Sequence, residues 1–381
     1  MTRLGQTLLI RLAAVSFCLA PLTFADHQNN LVSVHDGSIS LIDELITISI
    51  DLQDRNRNAE HCGQPDCPGE STFSASAAAG SFAGSLGSRI GQARGQNSNS
   101  ARGGSAGADT GDFSRWSPFL VADSTDTDKQ RTRRGQAYAQ DSEALLLGFD
   151  YQLRPDVRGG VSLSFLTADT VIAGNEGDAS SDTLLLGFHG SKYWGDTFLD
   201  ALASVGQIDL DSVRRSSTGS YSGTTQGKFH SAEAALGHFF GWQGLTLTPS
   251  LRIFHLRGKL DDYSEKPLTG GGALSYRDQH FESLNLRSAL QLDYVVLTNF
   301  GVVIPSLYIA YHREFGDAET LTTRSGIKHI GDKPEQNYGA ARLSLSFQLR
   351  HGRSVFAGFE KAIAHGLLDQ ESFVAGVRLE L

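Results

Sequence analysis

The chain has 381 residues, a formal net charge of -9 and 20% charged residues, so it is no polyelectrolyte and bulk charge gives no argument for nucleic-acid binding. Its 42 glycines, 21 phenylalanines, 10 tyrosines and single methionine favour turns and aromatic strand positions over a helical core, and an all-β chain is expected.

Residues 1–25 have the layout of a secretory signal. Arg3 and Arg11 flank its start, Leu12 to Leu22 forms a short apolar stretch, and Thr23-Phe24-Ala25 precedes the expected cut before Asp26. Arg11 and Pro21 argue against a membrane helix here. Phe17 stands before Cys18 where a lipidation site wants a small residue. After cleavage Cys62 and Cys67 remain, and an oxidising compartment favours joining them as a disulfide. His61 adds a third metal-ligating side chain, one short of a zinc set.

Between residues 38 and 52, Ile39, Leu41, Ile42, Leu45, Ile46, Ile48, Ile50 and Leu52 fit an amphipathic helix or a strand equally well. In residues 73–94, Phe82, Leu86 and Ile90 recur at a helical spacing of four, whereas Gly80, Gly84, Gly87 and Gly91 suit a flexible linker. A slender helix in a barrel lumen and a plain linker both remain open. Residues 95–112 are a Gly/Ser/Asn linker.

Beyond the signal no run approaches the roughly 18 apolar residues of a membrane helix, so a membrane-inserted chain must be a closed barrel, the other form that satisfies its backbone internally. From Phe113 onward, side chains alternate apolar and polar. Leu145, Leu147, Phe149, Tyr151 and Leu153 oppose Ala144, Gly148, Asp150 and Gln152, with Leu146 breaking the polar set. Leu245, Leu247, Pro249, Leu251 and Ile253 do the same, as do Leu284, Leu286, Leu290, Leu292, Tyr294 and Val296, and Ala341, Leu343, Leu345, Phe347 and Leu349. About twelve strands are expected, near residues 113–123, 143–153, 157–169, 182–192, 197–211, 227–241, 245–260, 280–297, 301–315, 338–350, 353–363 and 370–381. Short connections such as Arg154-Pro155-Asp156, Trp242-Gln243-Gly244 and Thr298-Asn299-Phe300 alternate with long polar ones around 124–142, 170–181, 212–226, 261–279 and 316–337. That sorting fits short periplasmic turns and long outer loops, and puts both barrel termini on the periplasmic side. Arg252, Arg287, Asp293, Arg342 and Arg350 fall on the polar phase and are expected to face a wet lumen. Trp116, Tyr151, Tyr193, Trp194, Trp242, Tyr294 and Tyr311 lie near strand ends, where interfacial girdles form.

Several of these segments resemble the translocator domain of autotransporters. Leu245 to Arg252 with its central Pro249, continuing to Asp262-Tyr263-Ser264-Glu265, resembles a strand of that family ending in an aromatic-Ser-Glu loop. Ile304-Pro305-Ser306-Leu307, running on to Tyr311-His312-Arg313-Glu314-Phe315, is similar to another, and Val355 to Glu360 with Gly376 to Leu379 fits the closing strands. The resemblance spans about residues 113 to 381. It implies a 12-stranded barrel in the Gram-negative outer membrane, in contact with outer-membrane lipids, barrel-assembly machinery and periplasmic chaperones. It also implies export of a short N-terminal passenger, about residues 26–112, past a helix held in the lumen. Family members usually end in Phe or Trp; here the last residue is Leu381. A stand-alone porin or plugged barrel is the alternative.

Catalytic patterns are weak. Gly103-Gly104-Ser105-Ala106-Gly107 matches a nucleophile elbow in letters, but lies in low-complexity sequence rather than between a strand and a helix. His189, His230, His238, His255 and His312 pair with no nucleophile by spacing, and Asp123, Asp126 and Asp128 lack the glycine and distal glutamate of a calcium loop. No enzyme activity, cofactor or metal site is expected.

Overall fold

The computed structural model describes residues 115–131, 136–315, 321–324, 327–330, 336–350 and 352–380. The signal, the Cys62–Cys67 pair and the segments 38–52 and 73–94 lie outside the described residues.

Twelve long strands form the described structure: β1 (Trp116–Lys129), β2 (Tyr138–Arg154), β3 (Val157–Ile172), β4 (Gly177–Trp194), β5 (Thr197–Ser216), β6 (Gly219–His238), β7 (Leu245–Leu260), β8 (Gln279–Tyr294), β9 (Gly301–Glu314), β10 (Asn337–Leu349), β11 (Arg353–Ile363) and β12 (Leu368–Leu379). Each pairs antiparallel with its chain neighbours. β1 and β12 then pair from Phe119↔Arg378 to Lys129↔Leu368, which closes the sheet into a barrel and leaves no open edge among these strands. Lipid offers backbone groups no hydrogen bonds, so this closure is what lets strands of such composition cross a membrane.

The outward face carries an apolar band: Leu145, Leu147 and Phe149 on β2, Val161 and Phe165 on β3, Leu184, Leu186 and Phe188 on β4, Leu343 and Leu345 on β10 are all exposed. Above the band the outward residues turn polar while the strands continue, through Asp141 on β2, Asp169 on β3, Asp182 on β4 and Asp209 and Asp211 on β5. β5 and β6 have 20 residues each, about twice what a crossing requires, and join through Ser217-Thr218. Three of the expected long loops are therefore mostly strand: 124–142 shrinks to residues 130–137, 170–181 to residues 173–176, and 212–226 to residues 217–218. The fourth, 261–279, holds short strands at Tyr263–Ser264, Lys266–Gly270 and Ser275–Tyr276. Their sequences resemble loops because strands that stand clear of lipid need no apolar face.

The girdle at the short-turn rim contains Trp116, Trp194, Trp242 and Tyr294, all at least half exposed. Tyr193 is not part of it. In the strand alternation Trp194 takes the outward phase, so Tyr193 points inward and packs with Phe198 and Phe239.

Inside, large rings lie over glycines on the facing strand. Phe119 is registered with Gly148, Phe198 with Gly237, Phe229 with Gly206, Phe281 with Gly258, Phe356 with Gly376 and His189 with Gly160. Each ring occupies the space where a Cβ would stand; at Gly258 that Cβ would lie 2.1 Å from Phe281 Cζ. Gly258→Val should cost about 1–3 kcal/mol through overpacking, and Gly258→Val/Phe281→Ala should lose clearly less than the sum of its single changes, read from urea unfolding midpoints of the detergent-folded chain.

Candidate functional site

The interior of this fold holds both an apolar cluster and a set of buried charged groups. Phe119, Val121, Leu146, Leu166, Leu185, Leu202, Ile208 and Phe229 on β1 to β6 form one apolar cluster that extends to Phe254 and Leu256 on β7, Phe281 on β8, Phe356 on β11 and Val374 on β12. Charged side chains gather on β6 to β11, and Asp150, Arg158, His189 and Asp200 are buried among β2 to β5.

Arg252, Arg287 and Arg342 each stand seven residues from the short-turn end of their strand and so share one level. Arg252 is registered with Arg287 across β7 and β8, Arg287 with His312 across β8 and β9, and Arg342 with Tyr308 on one side and Glu360 on the other. Arg252 donates to Glu233 of β6, and Arg342 Nη1 donates to Glu360 Oε2 at 3.3 Å. The Arg342 guanidinium lies 4.6 Å from the Tyr308 ring centroid. Nearer the short-turn end, Asp293 accepts from Gln291 Nε2 at 2.8 Å and from Ser306 Oγ at 2.5 Å. Across the lumen His189 Nε2 and Asp150 Oδ1 are 2.7 Å apart, with both side chains buried. Spacing along the chain could not reveal that pair; register brings residues 39 positions apart together. Arg252, Arg287, Asp293 and Arg342 are thus buried on the inward face. Arg350 does not join them, because β10 ends at Leu349 and Arg350 opens the exposed turn that follows.

The family-motif residues sort by what they touch. Pro249 and Pro305 face outward, each near the short-turn end of its strand. The β6–β7 ladder stops at Gly237↔Ser250 and resumes at Phe240↔Leu247, and the β8–β9 ladder stops at Asp293↔Ser306 and resumes at Val296↔Val303. Both interruptions keep register and coincide with a proline, which has no N–H to give the ladder. His312 is fully buried and stacked on Tyr338 with centroids 4.5 Å apart. Glu314 accepts from Ser283 Oγ at 3.0 Å and from the Leu284 amide at 2.9 Å, tying β9 to β8, while Phe315 stays half exposed. Glu265 is buried under the β7–β8 loop, where it accepts from Arg214 Nε at 2.8 Å, Arg214 Nη2 at 2.6 Å, the Tyr276 hydroxyl at 3.2 Å and the Leu274 amide at 3.0 Å. Lys266–Gly270 pairs with the extension of β6, so this loop is a fixed cap on one side of the projecting mouth.

Of the other flagged residues, Asp126 and Asp128 are exposed on β1, His230 is exposed on β6 and His255 meets Glu282 at 3.1 Å on the outer surface. His238 Nδ1 lies 2.8 Å from Thr197 Oγ1. Among the described residues no three metal-ligating side chains gather, and no nucleophile is seen against a histidine–carboxylate pair.

A closed barrel with an outward apolar band, short turns at one rim and projecting strands at the other defines an outer-membrane β-barrel. The sequence matches the autotransporter beta-domain family over residues 120–360, and the chain belongs to that family. Its structure is similar to the translocator domain of the autotransporter NalP from Neisseria meningitidis, with a TM-score of 0.58 at 16% identity over 76% of this chain and 95% of that one. The beta domain of the Bordetella autotransporter Brka is similar with a TM-score of 0.54 at 17% identity, over 70% of this chain and 100% of that one. A comparison with curated proteins gives no match.

In the β11–β12 loop, His365 Nδ1 accepts from the Leu367 and Leu368 amides at 3.3 and 3.0 Å, and burial lowers its pKa to about 4. The unfolded chain, titrating near 6.5, binds the extra proton first, so this contribution is fully present above about pH 6.5 and is lost as pH falls towards about 4. His365→Asn keeps an acceptor without titrating. Its thermal midpoint should fall less than the wild type's between pH 7 and 4.5, measured as conversion of the folded to the unfolded gel band.

Proposed function

We propose that the barrel anchors and exports its own short N-terminal segment, about residues 26–112, after a signal at 1–25 has directed the chain across the inner membrane. The observation that carries this reading is that β1 begins and β12 ends at the rim of short turns, Trp116 facing Tyr151 and Leu379 facing Arg353. The chain before β1 therefore arrives at the periplasmic mouth of a lumen that leads to the projecting, outer rim. Membership of the autotransporter family supports the same direction of transport. Assembly would involve the barrel-assembly machinery and periplasmic chaperones. No catalytic role is assigned to the barrel, and Cys62 and Cys67 would form a small disulfide-closed loop in the exported segment. The charged side chains gathered on β6 to β11 support a second reading, a stand-alone porin or plugged barrel, in which purified protein conducts ions and the N-terminal segment stays inside the envelope.

The test is protease shaving of intact cells carrying an epitope inserted near Glu70, with a periplasmic control protein followed in parallel. Export predicts that the epitope is lost while barrel and control survive. Full protection until the outer membrane is permeabilised would refute export.

A further inference from the structure

Arg287 is 1% exposed, and none of its three guanidinium nitrogens has a hydrogen-bond partner. The Tyr308 side chain is its nearby polar neighbour, outside the geometry of a normal hydrogen bond, and no carboxylate is bonded to the guanidinium. Within the same layer Arg252 is matched by Glu233 and Arg342 by Glu360, so three guanidinium groups face two carboxylates. A buried cation without a hydrogen-bonded partner is strongly unfavourable, and replacing it by an apolar side chain of similar volume then stabilises a protein. The planar donor fork of arginine is suited to a carboxylate or phosphate oxygen pair. We propose that Arg287, flanked by Arg252 and Arg342, is an oxyanion-binding site in the middle of the lumen. This inference goes beyond export and stands without it.

Two sources share that chemistry. A small anion can enter from solution, or a carboxylate can come from the chain before β1. Asp109 precedes Trp116 by seven residues, a reach of up to about 25 Å in extended chain. Arg287 stands seven residues above the same rim, about 18 Å along a tilted strand. Asp109 and its neighbour Asp112 are the acidic residues between Glu70 and β1.

The experiment uses the full mature chain folded in detergent and follows its thermal midpoint. Arg287→Met should lower the midpoint by about 5 °C or more if an oxyanion occupies the site. If the anion comes from solution, inorganic phosphate titrated at fixed ionic strength raises the wild-type midpoint and leaves that of Arg287→Met unchanged. If it comes from the chain, phosphate has no effect. Asp109→Asn/Asp112→Asn then lowers the midpoint as much as Arg287→Met does, and combining all three changes lowers it no further. A midpoint that stays the same or rises in Arg287→Met overturns the site. So does a fall accompanied by neither a phosphate response nor an effect of the aspartate changes, since that pattern assigns Arg287 to packing alone. Should Arg287→Met not fold, the wild-type phosphate titration and the aspartate variant decide: a response in either supports the site, and a response in neither overturns it.

Discussion

The pairing of β1 with β12 is the contact on which the other features depend. Before it forms, the sheet has two edges whose N–H and C=O groups find no partners in hydrocarbon, at several kcal/mol for each group left unmatched. Eleven register pairs from Phe119↔Arg378 to Lys129↔Leu368 remove that cost, and they join the segments furthest apart among the twelve strands. Register then decides which residues face in. A slip by one would turn Arg252, Arg287 and Arg342 into lipid, at about 2–4 kcal/mol each near the midplane. Pro249 and Pro305 illustrate the same constraint: each breaks a ladder locally, and in both cases pairing resumes without a shift.

Fixed register also organises the interior. Phe119, Phe198, Phe229, Phe281 and Phe356 each lie against a glycine directly across a strand pair, which lets large rings lie flat on the inner wall instead of projecting across the lumen. The same inner face carries paired arginines and carboxylates on β6, β7, β10 and β11. A segment passing along this lumen would therefore meet both apolar rings and paired charges.

Much of this was legible in the sequence. Twelve strands, their even number and the inward phase of Arg252, Arg287, Asp293 and Arg342 follow from alternation, because one face had to be apolar to meet lipid. The resemblance at Pro249, Glu265, Pro305, His312, Glu314 and Phe315 pointed to the right family. What alternation could not give were the strand ends at the outer rim, where both faces of β5 and β6 are polar and resemble loops, and the apolar inner cluster, where Leu146 or Leu185 break the pattern. Tyr193 and Arg350 depart from the expectation for a related reason: near a turn, a shift of one residue changes the face or ends the strand. Contacts such as Arg214 to Glu265 join positions 51 residues apart and are visible only once register is known.

Orientation in the membrane underlies the whole account, and it can be measured without reference to export. In a background with Cys62 and Cys67 changed to serine, Ser217→Cys places a thiol at the tip of the projecting β5–β6 hairpin, and Asn299→Cys places one in a turn at the opposite rim. Intact cells treated with a membrane-impermeant maleimide should label Ser217→Cys, whereas Asn299→Cys should react only after the outer membrane is permeabilised. Labelling of Asn299→Cys in intact cells, with Ser217→Cys protected, would contradict the account, because the chain before β1 would then start outside the cell.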